Sequence, residues 1–380
     1  MRSLFTRLLI VAVACAIALV AAEVVLRMLN LAPTASVVTV NEEQFERIPG
    51  IFAPNQRLVD SRIPALPHQV SIDSLGYRGS HFPRRKPPGE LRVLLAGDSF
   101  TYGDGVHDGQ TIPAYLEQAL RDQCRQARVI NAGLPGAAIM DELAMIRRAK
   151  PLEPDVIVLL FSENDESQMS ESSYWEALAA NRRAKSRFPL SVLYPLLHNT
   201  ALWNLALEGR AHLQARRARA AAERAGTASP APAPAPQPAA ATDSMADSSG
   251  GISAGRAALR RRYLEALRTV RDTLAPYGAN FVFASFPMHR TITDSSRHED
   301  AGWAVREAAA MGINSVDLAR ALIATRLPAE SLYLLPHDGH GSARGHAVVA
   351  AALARHLVER SPALARCADA GADSTTISSM

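Results

Sequence analysis

The chain is 380 residues long and 48% hydrophobic, with a formal net charge of +4, an ordinary globular composition that suffices for one large α/β domain or two small ones. Its arginines are dispersed through helix-like segments with no aromatic-rich basic stripe, which argues against nucleic acid as a partner. Cys15, Cys124 and Cys367 show neither C-x-x-C spacing nor a His/Cys cluster, so no structural metal is expected.

In chain order, the first element is apolar. Arg2 and Arg7 precede an uncharged run of Leu, Val, Ile and Ala from Leu8 to Ala22, the pattern of an export signal. Val20-Ala21-Ala22 looks like a small-residue cleavage site, whose use would give a secreted protein. Against that, Val24, Val25 and Leu26 carry the apolar stretch past Glu23 toward spanning length. The expectation is an uncleaved anchor over residues 1–30, a single-pass inner-membrane helix with a cytoplasmic basic start and a periplasmic remainder. Cys15 sits in this segment behind Ala12-Val13-Ala14, a poor lipidation box, which leaves Cys124 and Cys367 as candidates for a disulfide in an oxidising compartment.

Residues 31–90 carry scattered Pro and little periodicity, and read as a lead-in packed on the domain that ends in the turn Arg84-Arg85-Lys86-Pro87-Pro88-Gly89. Alternation then sets in: strand Leu91–Ala96, helix Thr111–Arg121, strand Arg128–Asn131, helix Ile139–Arg148, strand Asp155–Phe161. This is the pattern of right-handed βαβ units. It breaks at an Arg/Ala-rich helical run, Arg210–Arg224, and at a Pro/Ala/Ser insertion over residues 225–253 that cannot bury a core. It resumes with helix Ala257–Leu274, strand Asn280–Phe286, helix Ala301–Met311, strand Ile313–Val316 and helix Ala343–Val358. The insertion therefore interrupts one domain, residues 91–360, and residues 361–380 read as a flexible tail.

Chemistry-bearing residues fall at the element boundaries. A serine hydroxyl needs a neutral imidazole to take its proton, a carboxylate to orient the imidazole, and donors for the oxyanion. Gly97-Asp98-Ser99 follows the first strand, Asn131-Ala132-Gly133 the second and Ser162-Glu163-Asn164-Asp165 the third. Asp338-Gly339-His340 precedes the last helix. Each alone has an ordinary competitor: Asp98 or Ser99 as a helix cap, Asn164-Asp165 as a plain turn, Asp338 and His340 as caps of the last helix. His346 is the rival base, placed one turn into that helix. His289 and Arg290 follow the fourth main strand, where they line either a pocket or the surface.

The four blocks in this order resemble the SGNH (GDSL-type) esterase and acyltransferase superfamily, over roughly residues 70–360. The resemblance implies a flavodoxin-like three-layer α/β/α sandwich with a parallel sheet, and no cofactor. It implies Ser99 as nucleophile, His340 as base and Asp338 as its orienter. The Ser99 and Gly133 N–H groups and the Asn164 amide would form the oxyanion hole. Ser162 departs from the usual Gly of the third block, and Asp and His stand two apart where three is common. The shorter spacing is similar to that of membrane-anchored polysaccharide O-acetylation proteins, and Gly76-Tyr77-Arg78-Gly79 is similar to a segment of exported SGNH-like proteins. The expectation is therefore an exported serine esterase or acyltransferase acting on O-acyl, notably O-acetyl, carbohydrate. The alternative is a non-catalytic carbohydrate-binding or assembly protein that keeps the fold. With an ordinary imidazole as base, activity should rise through about pH 6 to 7.5.

Overall fold

A computed structural model describes residues 2–29, 47–169 apart from 62 and 64, 173–203 apart from 198 and 199, 254–294 and 302–365, together with 38, 40, 205, 206 and 213. The insertion at 225–253, Cys367 and residues beyond 365 lie outside the described residues, as does the Arg/Ala-rich run apart from Leu213. Two compact units emerge, one of residues 1–36 with 179–238, the other of 37–178 with 239–380.

In the first unit, α1 (Arg2–Met28) contains a 20-residue stretch, Leu9–Met28, with mean hydropathy 2.8 and no burial against the protein. It is long and apolar enough to be a membrane anchor or a signal sequence.

The second unit opens with an antiparallel hairpin, β1 (Arg57–Asp60) and β2 (His68–Ser71). There follow β3 (Leu91–Gly97), the single-turn α2 (Ser99–Tyr102), α3 (Ile112–Arg121), β4 (Ala127–Gly133), α4 (Ile139–Ala149), β5 (Val156–Ser162) and α5 (Asp165–Gln168). Next in the chain are α6 (Tyr174–Lys185) and α7 (Leu190–Leu197); the end of α6 and all of α7 belong to the first unit. The second unit resumes with α8 (Ala254–Leu274), β6 (Asn280–Phe286), α9 (His289–Thr293), α10 (Trp303–Ala310) and β7 (Asn314–Asp317). Last come α11 (Ala319–Ala324), α12 (Ala329–Leu332) and α13 (Ala343–Arg360).

Five strands form one parallel sheet in the order β4-β3-β5-β6-β7. β3 and β5 are buried along their whole length, as strands covered on both faces must be. Side chains alternate between two layers with the period of a strand. Leu94, Ala96, Ile157, Leu159, Phe161 and Phe283 pack toward α4, α8 and α10. Val93, Leu95, Val158, Leu160, Val282 and Ala284 pack toward α3 and α13. α3 offers Ile112, Leu116 and Leu120 at a spacing of four, and α13 offers Val349, Leu353 and Leu357 likewise, so each presents one apolar stripe. The result is the three-layer α/β/α sandwich. The strand order reverses direction between β3 and β5, which opens a crevice at their carboxyl ends where such folds bind ligands.

The lead-in is more structured than its composition suggests. Ile51, Phe52, Val70, Ile72 and Tyr77 are buried in the α4-side core, and Arg78 bridges to Asn131 on the edge strand β4. Cys124 is buried and disulfide-bonded, whereas Cys15 is free and exposed. The start of the expected tail also packs, since Ser361, Ala363 and Leu364 are buried.

Candidate active site

Ser99 stands where β3 stops. The chain turns sharply because Gly97 admits no side chain: a Cβ there would lie 2.2 Å from Thr101 Oγ1 and 2.9 Å from the Leu160 carbonyl. Asp98 caps the short helix by accepting from Phe100 N–H at 2.9 Å, and Gly103 ends it with φ +90°. The Ser99 hydroxyl thus points out of the sheet edge, with its Oγ 2.7 Å from His340 Nε2. On the other side of the ring, Nδ1 is hydrogen-bonded to Asp338 Oδ1, which also accepts from the His340 backbone N–H at 2.8 Å. One carboxylate oxygen therefore serves both groups, and this closure is what a two-residue spacing permits. The loop is held by Leu334 N–H to the His340 carbonyl at 2.9 Å and Asp338 N–H to the Leu334 carbonyl at 3.1 Å. Phe100 lies against the imidazole, ring centres 4.7 Å apart.

Burial alone would lower the His340 pKa, but the hydrogen bond and charge of Asp338 outweigh it, with Asp104 and Asp98 adding to the field, and push it up to about 9. His346 is in the opposite situation. It is wholly buried, Nδ1–H donates to the Gln110 carbonyl at 3.0 Å, and desolvation pushes its pKa down to about 4. A Cβ on Gly341 would sit 2.7 Å from its ring, so it is packed beneath the Asp338–His340 loop.

Asn164 Nδ2 donates to Asp98 Oδ2 at 2.8 Å, and its second amide hydrogen meets no acceptor among the described residues. Ser162 is fully buried; its hydroxyl lies 2.8 Å from Asp98 Oδ2 and also against Asn164 Oδ1. The residue that replaces the usual glycine thus places its single hydroxyl hydrogen between the Asp98 carboxylate and the amide oxygen. Burial raises the Asp98 pKa, and the donors Asn164, Phe100 and Ser162 oppose the rise. The Ser99 N–H meets no acceptor among the described residues.

Gly133 is held inside the fold. Its N–H donates to Asn131 Oδ1 at 3.0 Å, so it is already engaged, and a Cβ there would lie 2.1 Å from Tyr102 N. It is glycine because α2 packs directly on it. Three residues on, Leu134-Pro135-Gly136-Ala137 forms a turn closed by Ala137 N–H to the Leu134 carbonyl at 3.0 Å, with Gly136 at φ +79°. That is the Pro-Gly signature of a type II turn, and the Gly136 N–H meets no acceptor among the described residues. The Pro-Gly pair was the available signal for this donor.

Arg78 had no assigned role in the sequence. Its guanidinium is buried and donates to the carbonyls of Tyr102 at 3.0 Å, Gly103 at 2.7 Å, Val106 at 2.6 Å and Gln69 at 3.4 Å, and to Asp108 at 3.0 Å. Three of these carbonyls belong to the segment just after Ser99. Of the two residues after β6, His289 lies beside the catalytic loop, its Nδ1 3.6 Å from where a Cβ on Gly339 would be, with its ring against Tyr333. Glu163 ties this region to the third block by accepting from Met288 N–H at 3.1 Å and from the Thr291 hydroxyl.

A doubly covered parallel sheet with a serine, imidazole and carboxylate gathered at its carboxyl edge defines an SGNH-fold hydrolase. Residues 95–348, about two thirds of the chain, match the GDSL-like lipase/acylhydrolase family; the chain belongs to that family and is an ester-hydrolysing enzyme. No curated protein matches the sequence. Similar solved structures include a putative lipolytic G-D-S-L protein from Desulfitobacterium hafniense (15% identity, 70% of this chain and 100% of that one, TM-score 0.38). Others are a two-domain esterase active on acetylated mannans (13%, 71% and 49%, TM-score 0.39) and a variant of an acetyl xylan esterase from Geobacillus stearothermophilus (15%, 72% and 97%, TM-score 0.39).

Proposed function

We propose that this chain is a membrane-anchored serine esterase and acyltransferase that works through an acyl-enzyme on Ser99. One observation carries the reading, the unbroken hydrogen-bonded series Ser99–His340–Asp338. The Ser99 Oγ attacks an ester carbonyl while His340 Nε2 takes its proton, and Asp338 holds the ring in the Nδ1–H tautomer and stabilises the imidazolium. The imidazolium then returns the proton to the departing alkoxide. Water or a sugar hydroxyl attacks the acyl-enzyme with His340 again as base, which frees Ser99. The developing oxyanion is met by the Ser99 N–H, the unused Asn164 amide hydrogen and, in place of Gly133, the Gly136 N–H.

The substrate is an O-acyl carbohydrate, and the physiological direction is transfer to sugar. Two things support this: the apolar helix ahead of the domain, read as an uncleaved inner-membrane anchor with the enzyme in the periplasm, and the short Asp338-x-His340 spacing. A fluorophosphonate probe tests the mechanism. Wild type should be labelled on Ser99, as read by peptide mass spectrometry, and Ser99→Ala should not be; a folded wild type that resists the probe would leave a binding protein.

A further inference from the structure

Outside residues 1–29, seven large hydrophobic side chains are exposed among the described residues, and five of them lie in one stretch: Phe188, Val192, Leu197, Leu205 and Leu213. Phe188 is 85% exposed and Val192 55%. A domain that otherwise buries its apolar residues is not expected to leave so many of them exposed in one segment.

The stretch belongs to the same compact unit as α1. Glu23, in the last two turns of α1, accepts from the N–H groups of Ala201 at 2.9 Å and Leu202 at 3.0 Å, and from Arg27 Nε at 2.6 Å. Ala201 is fully buried by this contact region. Within Leu9–Met28, Glu23 is the lone acid, and a carboxylate near hydrocarbon is tolerated only where donors surround it. It precedes Met28 by five residues, about 7 to 8 Å along a helix axis. With α1 as a membrane anchor, the helical residues 201–203 are therefore held at the depth where α1 leaves the apolar region.

The local sequence suits that depth. α7 reads Leu-Ser-Val-Leu-Tyr-Pro-Leu-Leu, without a charge. At eight residues it is too short to span a bilayer. Tyr194 and Trp203 meet edge-on with ring centres 6.0 Å apart, and such amphipathic aromatics favour the headgroup level.

We infer that residues 188–197, with 200–203 and 205, are a second membrane contact, an interfacial segment seated in the headgroup and upper acyl region beside α1. The occupant of this apolar surface is the lipid bilayer, because Ala201 and Leu202 within the segment are hydrogen-bonded to Glu23 near the end of the anchor. The inference rests on reading α1 as an uncleaved anchor.

The test uses the full chain in nanodiscs of phosphatidylethanolamine and phosphatidylglycerol. A polarity-sensitive fluorophore is attached without reductant, first to native Cys15 and then, in a Cys15→Ser background, to Val192→Cys, Leu197→Cys or Leu205→Cys. The exposed site Asp122→Cys is the aqueous control. The tags at 192, 197 and 205 should be blue-shifted and lose most of their emission to nitroxides near the lipid headgroup. The Cys15 tag should respond to nitroxides deep in the acyl chains, and the Asp122→Cys tag to neither. A deep Cys15 tag with the three others behaving like Asp122→Cys would overturn the inference and leave the anchor standing. Tags at 192, 197 and 205 shielded from aqueous quencher yet blind to lipid nitroxides would overturn it in favour of a protein partner, such as a second copy. A chain that loses Cys15 by cleavage, or carries its tag in water, would overturn the anchor reading and this inference with it.

Discussion

The sharpest prediction concerns the pH at which the enzyme becomes active. An imidazole held up to about 9, against an ordinary 6.5, favours its protonated form by about 3 kcal/mol. At pH 7 only about one molecule in a hundred then carries the neutral base. Log kcat/KM should accordingly climb with a slope near one from about pH 6 to 8.5 and level off above about 9, later than the rise through about pH 6 to 7.5 expected of an ordinary histidine. Asp338→Asn removes the interaction that opposes desolvation. Its limb should fall to the ordinary imidazole range or below, so the profile is flat from about pH 7 to 9 while its level drops by up to about 10⁴-fold, as in comparable triads. The assay is the initial rate of p-nitrophenyl acetate hydrolysis at constant ionic strength, with the Ser99→Ala rate subtracted at each pH. A wild-type profile already level above pH 7.5 would refute the claim that Asp338 controls His340, however close the two side chains lie.

Three further outcomes follow from the site. Asn164→Ala should lower kcat/KM about 10²- to 10³-fold with the alkaline limb unmoved, because a donor to the oxyanion is lost while the base is untouched. Arg78→Met should lower kcat with small esters while KM stays within a few-fold, and Arg78→Lys should restore only part of the loss, since one ammonium cannot serve five acceptors; a lower melting temperature with full kcat would make Arg78 a stabilising residue only. His346→Ala should cost about 2–4 kcal/mol of folding stability, measured by urea unfolding, yet leave kcat of the folded enzyme within a few-fold, because it deletes a buried ring rather than a base.

What the sequence made legible was whatever repeats locally. β3, β5 and β6 are apolar runs bounded by turns, and the expected Asn280–Phe286 strand matches the observed one residue for residue. Asp338 and His340 were legible because both ends of their hydrogen bond lie in one loop. Gly133 and Gly136 show the limit. Gly133 ends β4 and Gly136 lies in the turn just after it, and only the packing of Tyr102 against the first, together with the Asn131 side chain on its N–H, tells the two backbone donors apart. Arg78 was opaque for a related reason, since its acceptors lie up to 30 residues away and four of the five are carbonyls, which carry no residue signature. The His340 pKa likewise depends on how deeply the pair is buried, a tertiary quantity that adjacent letters do not encode.

The last prediction concerns the fate of the acyl group. Hydrolysis and transfer share one acyl-enzyme, so their ratio is set by whether a sugar hydroxyl is held near the Ser99 ester better than water reaches it, and orientation of this kind can outweigh the high concentration of water. A structural candidate for the holding is His289. Burial lowers its pKa, which favours the neutral ring, and its Nδ1 is buried with no hydrogen-bond partner among the described residues, beside Gly339, between Asp338 and His340. An unpaired ring nitrogen there is suited to an acceptor hydroxyl, whose binding would satisfy it. The enzyme, acylated from an activated acetyl ester in the presence of a panel of oligosaccharides, should yield acetylated sugar by mass spectrometry as well as free acetate. His289→Ala should lower the ratio of acetylated sugar to acetate several-fold while the rate of Ser99 acylation stays nearly constant, because only the second half-reaction uses the acceptor. If every acceptor gives free acetate alone, while acetylated polysaccharide is deacetylated efficiently, the chain is an esterase and the transfer reading fails. If transfer occurs but His289→Ala leaves the ratio unchanged, the acceptor is positioned by other residues and the assignment of His289 is wrong.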